Sequence, residues 1–408
     1  MNSYKADFPI FKKYPQLVYL DNAATSQKPQ VVLDAINNYY TNACANVHRG
    51  VHKLSDASTE IFELSKRKIA LFFGAKTTEL ILTRNATEAI NGLAYGWAEK
   101  SLKEGDVILA SIMEHHANIV PWQELGKRMG TKLDFINVTA EDLLDLNDLK
   151  EKIKKYGKKI KLISISHVSN ALGTVNPIDQ VRKIIDDNKL KCRLAVDGAQ
   201  SAPHMKVDFH KLDIDFYAFS GHKMLGPMGI GGLVVKEELL KSGEMSPWLF
   251  GGGMIESVYK DKTTFNEDLS ERFIAGTPDV ASATGLAIAC DYLEKIGMVE
   301  VEKHDRSLVR YAIDELKKIE EIEIVGPVNN KHRLGSVTFI YKGVHAHDVA
   351  QILDSENVAV RSGHHCTMPL HLENKWIATV RASFSVYNDE SDVDKLIEAI
   401  KKIKKVFK

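Results

Sequence analysis

The sequence predicts an α/β fold built on a mainly parallel sheet, with a second, smaller unit toward the carboxyl end. First, short apolar runs of strand length alternate with stretches of helical periodicity through the first two thirds of the chain. The strand-like runs fall at 80–82, 107–110, 133–138, 162–166, 194–196, 216–219 and 233–235, and helical patterns at 89–100, 120–129, 146–156 and 178–187 separate several of them. Repeated strand–helix–strand units of this spacing mean parallel pairing. Second, a polar cluster follows the runs ending at Leu82, Ala110, Ser166, Val196 and Phe219. In open α/β sheets functional residues gather beyond the carboxyl ends of the strands. Third, the order changes after a long apolar helix at 280–296: a helix at 307–319, strands near Val325 and at 337–340, a helix at 347–354, runs at 358–360 and 378–383, and a closing helix.

Taken in order, 17–20 is a short strand that empties into Asp21-Asn-Ala-Ala-Thr25, and Pro29 opens a helix at 31–40, as proline often does in a first turn. The segment from Asn46 to His52 is aperiodic and rich in His and Arg, a loop composition that often carries function. Helical periodicity at 56–73 places Ile61, Leu64, Ile69 and Phe72 on a core-facing stripe. After the run at 80–82, Asn85 or Thr87 is placed to cap the next helix, whose free N–H groups also suit an anion. His115 and His116 follow the next strand; adjacent histidines rarely point at one ion, and stacking on a cofactor is as good a use for one of them. In the closing helix Val393, Leu396, Ile397, Ile400 and Ile403 form the buried face, and the lysines around them a solvated one.

The chain has 408 residues, enough for two or three units, and its 44% hydrophobic and 26% charged content is ordinary for a globular protein. Fifty-four acidic and 54 basic residues cancel, which removes any global electrostatic case for nucleic acid or membrane binding. The first residues lack the charged flank and apolar core of a signal peptide, and no apolar stretch approaches bilayer length, so a cytoplasmic location is expected. Cys44, Cys192, Cys290 and Cys366 are far apart, which argues against a disulfide framework or a four-cysteine zinc site.

Two clusters carry chemistry. Ser220-Gly-His-Lys223 sits where a buried strand enters a glycine-rich loop, an unusual place for a solubilising lysine and a suitable one for a Schiff base to a carbonyl cofactor, although on local evidence alone a surface loop lysine is the commoner outcome. Asp197, followed by Gln200, ends another buried strand, where a carboxylate needs a cation or donor; an Asx-turn is the simpler alternative. The protonated ring nitrogen of pyridoxal phosphate would be such a partner and makes the ring an electron sink. Gln200 would then meet the ring oxygen, His115 would stack, and Thr87, Ser220 and His222 would hold the phosphate. Cys366 is the second cluster: it lies in a loop with Arg361, His364 and His365, neighbours that favour a thiolate nucleophile. The competing reading, a metal site of His364, His365, Cys366 and His371, lacks the usual paired spacing.

These segments resemble the SufS-type (group II) cysteine desulfurases of the class V aminotransferase family. The run Arg361-Ser-Gly-His-His-Cys366-Thr-Met-Pro-Leu370 is similar to their active-cysteine loop, and Ser220-Gly-His-Lys223 and Asp197-Gly-Ala-Gln200 to their pyridoxal-phosphate segments. Val47-His-Arg-Gly50, Glu114-His-His-Ala-Asn-Ile-Val-Pro-Trp122 and Ala275-Gly-Thr-Pro278 match as well, so the likeness spans essentially the whole chain. Thr367 departs from it, standing where alanine is expected.

The resemblance implies a fold type I pyridoxal-phosphate enzyme with a seven-stranded sheet in a large domain at 20–285. Residues 1–19 and 286–408 would form a smaller α+β domain carrying the cysteine loop. It implies that Lys223 forms the Schiff base and moves the Cα proton, that Asp197 and Gln200 hold the ring, and that His115 stacks on it. Ala86, Thr87, Ser220 and His222 would hold the phosphate. Arg381, Asn170 and Arg361 would bind substrate, with His48, Arg49 and Thr277 contributed across a homodimer interface. Cys366 would take sulfur from L-cysteine as a persulfide, release alanine, and supply iron–sulfur cluster assembly through a SufE-like or SufU-like acceptor and a Suf scaffold. Rival readings are a selenocysteine lyase, another class V enzyme, or a non-catalytic sulfur carrier or metal-binding protein.

Overall fold

The computed structural model describes residues 4–407; residues 1–3 and 408, part of the expected smaller domain, lie outside them. Seven strands form the large sheet, in the order Leu80–Thr83, Gly231–Val235, Phe216–Ser220, Arg193–Asp197, Ile160–Ser166, Val107–Ser111 and Lys132–Ile136. All neighbours pair in parallel except Gly231–Val235, which runs antiparallel to both of its partners. Three of the strands are buried along their whole length and Arg193–Asp197 in all but its first residue, as expected of a sheet covered on both faces. Helices cover both faces, and the apolar side chains sort into separate clusters on the two sides, one around Phe73, Ile163 and Phe219 and the other around Trp97, Trp122 and Phe216.

Helices Val120–Met129, Leu146–Tyr156, Ile178–Asp187 and Val280–Ile296 begin and end where the sequence periodicity does. Carboxylates fix the start of two of them: Asp145 accepts from the Asn147 and Asp148 amides, and Asp279 from the Ser282 amide. The smaller domain holds an antiparallel sheet in the order Ile322–Val325, Ser336–Tyr341, Thr379–Ser383 and Arg361–Gly363, packed on helices Met298–Leu316, Ala346–Ser355 and Glu390–Val406. The short strand Val18–Tyr19 pairs in parallel with Val358–Ala359, tying this early segment to the carboxyl-terminal part of the chain.

Several expectations change. The helix expected from residue 89 starts at Ala86, because Asn85 Oδ1 caps it by accepting from the Glu88 amide at 3.0 Å; it then widens into a π-helical turn over Ala94–Ala98. The helix expected at 307–319 starts nine residues earlier, at Met298, just after Gly297 (φ 91°). The stripe on Lys53–Phe72 is rotated: Leu64 is half exposed, while Phe62, Ile69 and Phe72 are buried. Ile61 and Leu64 instead border a shallow groove against Thr284 and Ala287. The run at 358–360 pairs only over Val358–Ala359, and past Val360 the chain joins the antiparallel sheet as Arg361–Gly363. A hairpin of Ile255–Val258 and Thr263–Phe265 has no apolar alternation and was not expected from the sequence. Among the described residues no helix is long and apolar enough to cross a membrane.

Candidate active site

The carboxyl ends of the parallel strands meet the smaller domain at a cavity of about 200 Å³. Lys223 stands one short turn beyond Phe216–Ser220 and faces into it. Burial lowers its amine to about 8, with Arg381 and Arg361 adding to the effect and Asp197 opposing it. Asp197 ends the neighbouring strand; its Oδ1 accepts from the Ala199 amide at 2.9 Å, and burial raises its carboxyl against the opposing charge of Lys223. The turn that follows packs on Tyr217 so tightly that a Cβ on Gly198 would lie 1.9 Å from the ring carbon Cζ. Gln200 is buried in that turn and donates from Nε2 to the Ala23 carbonyl at 2.8 Å.

The capped start of helix Ala86–Leu93 borders the same cavity. Ser220 Oγ accepts from the Ala86 amide at 2.9 Å, joining this helix to the strand that precedes Lys223. Thr87 and His222 complete this end, and burial lowers His222 to about 4, so its ring is neutral. His115 faces the cavity with Nδ1 accepting from the Ala117 amide at 3.0 Å. That bond leaves the ring proton on Nε2, and burial with Lys223 nearby drops the ring to about 3. His116 has a different task. Its amide donates to the Cys366 carbonyl at 2.8 Å and its Nε2 accepts from the Met368 amide at 3.0 Å, clamping the cysteine loop to the large domain.

At the opposite end Arg361 and Arg381 face each other across adjacent antiparallel strands and both line the cavity. Arg381 donates to the Asn170 carbonyl at 2.7 Å and to Asp21 Oδ1 at 3.2 Å, while Asn170 Nδ2 donates to the His365 carbonyl at 2.6 Å. Cys366 stands just beyond this lining, with Arg361 Nη2 3.7 Å from its Sγ. Its loop is strained: His365 and Cys366 both adopt left-handed backbone conformations, φ 50° and 58°. His365 Nε2 and His371 Nε2 converge on Thr379 Oγ1 at 3.0 and 3.1 Å, so a hydroxyl occupies the point where a metal site would use both rings. The Thr367 hydroxyl donates to the His364 carbonyl at 2.7 Å, bracing the loop.

Three expected residues lie elsewhere in the chain. His48, Arg49 and Thr277 line a separate cleft of about 490 Å³. His48 there approaches Glu63 and Glu271 at 3.7 and 3.6 Å, carboxylates already engaged by Lys66, and Thr277 meets Asn46. Sequence reasoning also passed over three residues that hold the site together: Asp21 on Arg381, the fully buried Glu114 behind His115, and Thr379 beneath the cysteine loop. Only their position after a strand or inside a motif offered a signal.

A model of the aminotransferase class-V family matches residues 18–396. The protein belongs to that family. Among class-V relatives, it is 43% identical to a probable cysteine desulfurase of Mycobacterium leprae, over 98% of this chain and 96% of the relative. The apo structure of a cysteine desulfurase from Thermococcus onnurineus superposes with a TM-score of 0.93 at 40% identity, covering 100% of this chain and 99% of that one. A cysteine desulfurase from Escherichia coli, solved as an S-sulfonic acid, gives 0.90 at 35% identity over 99% and 98% of the two chains. The class-V fold here is a fold type I pyridoxal-phosphate architecture, and the cavity suits that cofactor. It presents a buried amine of lowered basicity, a buried carboxylate for a ring cation, a neutral imidazole and a capped helix start for a phosphate.

Proposed function

We propose that this protein is a cysteine desulfurase. The observation that carries the reading is the thiol of Cys366, 3.7 Å from a cavity-lining guanidinium, beside a cavity that already holds Lys223 and Asp197. Pyridoxal phosphate, when bound, supplies an electron sink for the pair left at the substrate Cα. Lys223 would hold it covalently and, with an amine near 8, both remove and return the Cα proton. Asp197 would keep the ring nitrogen protonated, and Gln200 would meet the ring oxygen. Ala86, Thr87, Ser220 and His222 would receive the phosphate. A neutral His115 would stack on the ring without adding a charge that would weaken the sink. Arg381 grips the α-carboxylate, with Asn170 fixing the guanidinium through its carbonyl and Arg361 steering the sulfur end.

Cys366 then attacks the sulfur of L-cysteine. An S–S bond forms, the Cβ–S bond breaks with its electron pair left on carbon, and protonation there gives alanine. Thiol plus cysteine becomes persulfide plus alanine, with no external oxidant. Cys366→Ala is expected to keep the yellow cofactor and lose sulfide release, whereas Lys223→Ala should lose the borohydride-reducible linkage. Normal cysteine turnover by the Cys366 variant would overturn the reading.

The same reading takes the protein as a cytoplasmic homodimer of the SufS type. It passes sulfur to a SufE-like or SufU-like acceptor for iron–sulfur assembly on a Suf scaffold. Two features favour a dimer. His48, Arg49 and Thr277 line a cleft of their own, where they could serve the cavity of a second copy. Tyr40, Leu249, Phe250 and Tyr259 are large apolar side chains left half or more exposed. The large unit would run near 20–285 and the smaller one through 286–408 with 1–19. Sedimentation tests the dimer, and sulfide release with and without each acceptor tests the pairing.

A further inference from the structure

Arg381 is 1% exposed and uses its donors unevenly. Nη1 is held by the Asn170 carbonyl and Nη2 by Asp21 Oδ1 at 3.2 Å, while Nε is buried with no partner. Nε and Nη2 form one edge of a guanidinium, the edge that grips a carboxylate through two parallel bonds. Asp21 therefore holds half of the fork that a substrate α-carboxylate needs, and the other half is open.

The charges around Asp21 give this contact a second meaning. Arg361 stands directly opposite Arg381, a like-charge pair that repels unless an anion lies between. Asp21 interacts electrostatically with Arg381, Arg361 and Lys223 together. Asp197, the carboxylate in the cavity lining, lies at the end of the next strand to Lys223 and interacts with that amine, whereas Asp21 stands behind the lining on Arg381. Asp21 is thus the anion that offsets the arginine pair where the substrate's carboxylate and sulfur are expected.

We propose that Asp21 is a specificity-determining residue. As a resident carboxylate on the Arg381 fork, it yields Nη2 to an incoming α-carboxylate and, remaining beside Arg361, rejects amino acids that carry a second anionic group. The inference rests on the desulfurase reading for its preferred substrate. A cysteine side chain brings no charge to the arginine pair. An aspartate side chain brings a carboxylate into the field of Asp21. Removing a unit charge several ångströms away in a half-buried site changes affinity by about tenfold.

The test uses holoenzyme of the wild type, Asp21→Asn and Asp21→Glu. L-Aspartate affinity is read from cofactor absorbance, and the KM for L-cysteine from sulfide release. The Asn variant should shift the ratio of aspartate affinity to cysteine KM toward aspartate by about tenfold or more, with the Glu variant within about threefold of wild type. A shift of less than about threefold in the Asn variant overturns the proposal, as does loss of aspartate binding there, or a Glu variant that behaves like Asn. A wild type that releases no sulfide from cysteine would instead overturn the desulfurase reading, and the aspartate titration would still report on Asp21.

Discussion

Glu114 sits directly before His115, has no exposed surface, and should make the stability of the protein depend on pH. Its Oε1 accepts from the Ser111 hydroxyl and from Ser166 Oγ at 3.2 Å, and its Oε2 from Asn118 Nδ2 at 2.7 Å. Asn118 cannot turn round, because its Oδ1 already accepts from Ser164 Oγ and Trp122 Nε1. Burial pushes the Glu114 carboxyl from 4.5 up to about 7. Between those values the folded chain binds a proton that the unfolded chain does not, so stability falls as pH rises through the window. The fall is complete above about pH 7 and amounts to about 3 kcal/mol. With an unfolding entropy of about 2.1 cal/mol/K per residue, a chain of 408 residues converts this to roughly 3–4 °C of melting temperature.

Glu114→Gln removes the titration and keeps the shape: its oxygen can accept from Asn118 Nδ2 while its amide donates to the Ser111 and Ser166 hydroxyls, which can turn to accept. At pH 5, where the wild-type carboxyl is largely protonated, the two proteins should melt close together. At pH 8 the wild type carries its buried charge and the variant should melt higher. Melting both proteins side by side at pH 5 and pH 8, at fixed ionic strength, isolates the residue as a difference of differences. A value below about 1 °C would refute the account of a raised, buried carboxyl.

Other consequences are open to measurement. Thr379→Val leaves the His365 and His371 rings without their shared hydroxyl. At about 1–3 kcal/mol for each buried group left unpaired, it should lower the melting temperature and reduce sulfide release, both read on the same preparation. Asn85→Ala removes the cap on the Glu88 amide. It should cost about 1 kcal/mol and speed cofactor loss, followed by absorbance after gel filtration. Lys223, with its amine near 8, is neutral above that pH. Cofactor uptake by stripped protein should therefore rise through pH 8 and level off, and a rise that continues past pH 10 would contradict the lowered amine.

Much of the fold was legible because its strands are buried on both faces and so read as unbroken apolar runs. The hairpin at 255–265 was not, since its side chains are largely exposed and carry no alternation. In the site, Lys223, Asp197, Thr87, His115 and Asn170 each follow a strand, so the parallel topology alone predicts that they converge, and they share one cavity. Asp21 was illegible for a different reason. Its partner Arg381 lies 360 residues away, and no local pattern records such a pairing. Glu114 gave no local sign of burial: Asn118 lies four residues on, but Ser166 reaches it only after two strands are brought together.

The reversed strand Gly231–Val235 works as a ruler. Lying between Leu80–Thr83 and Phe216–Ser220, it lets both neighbours point the same way, so Asn85 and Lys223 emerge on one edge about two strand spacings, roughly 10 Å, apart. That separation is set by hydrogen-bond pitch and not by loop length. Residues inserted beside the exposed Met228 and Gly229 should leave it untouched. A side chain at Gly231, whose Cβ would meet the Asn85 Cα at 2.8 Å, should spoil it, although Gly231 touches neither amine nor thiol.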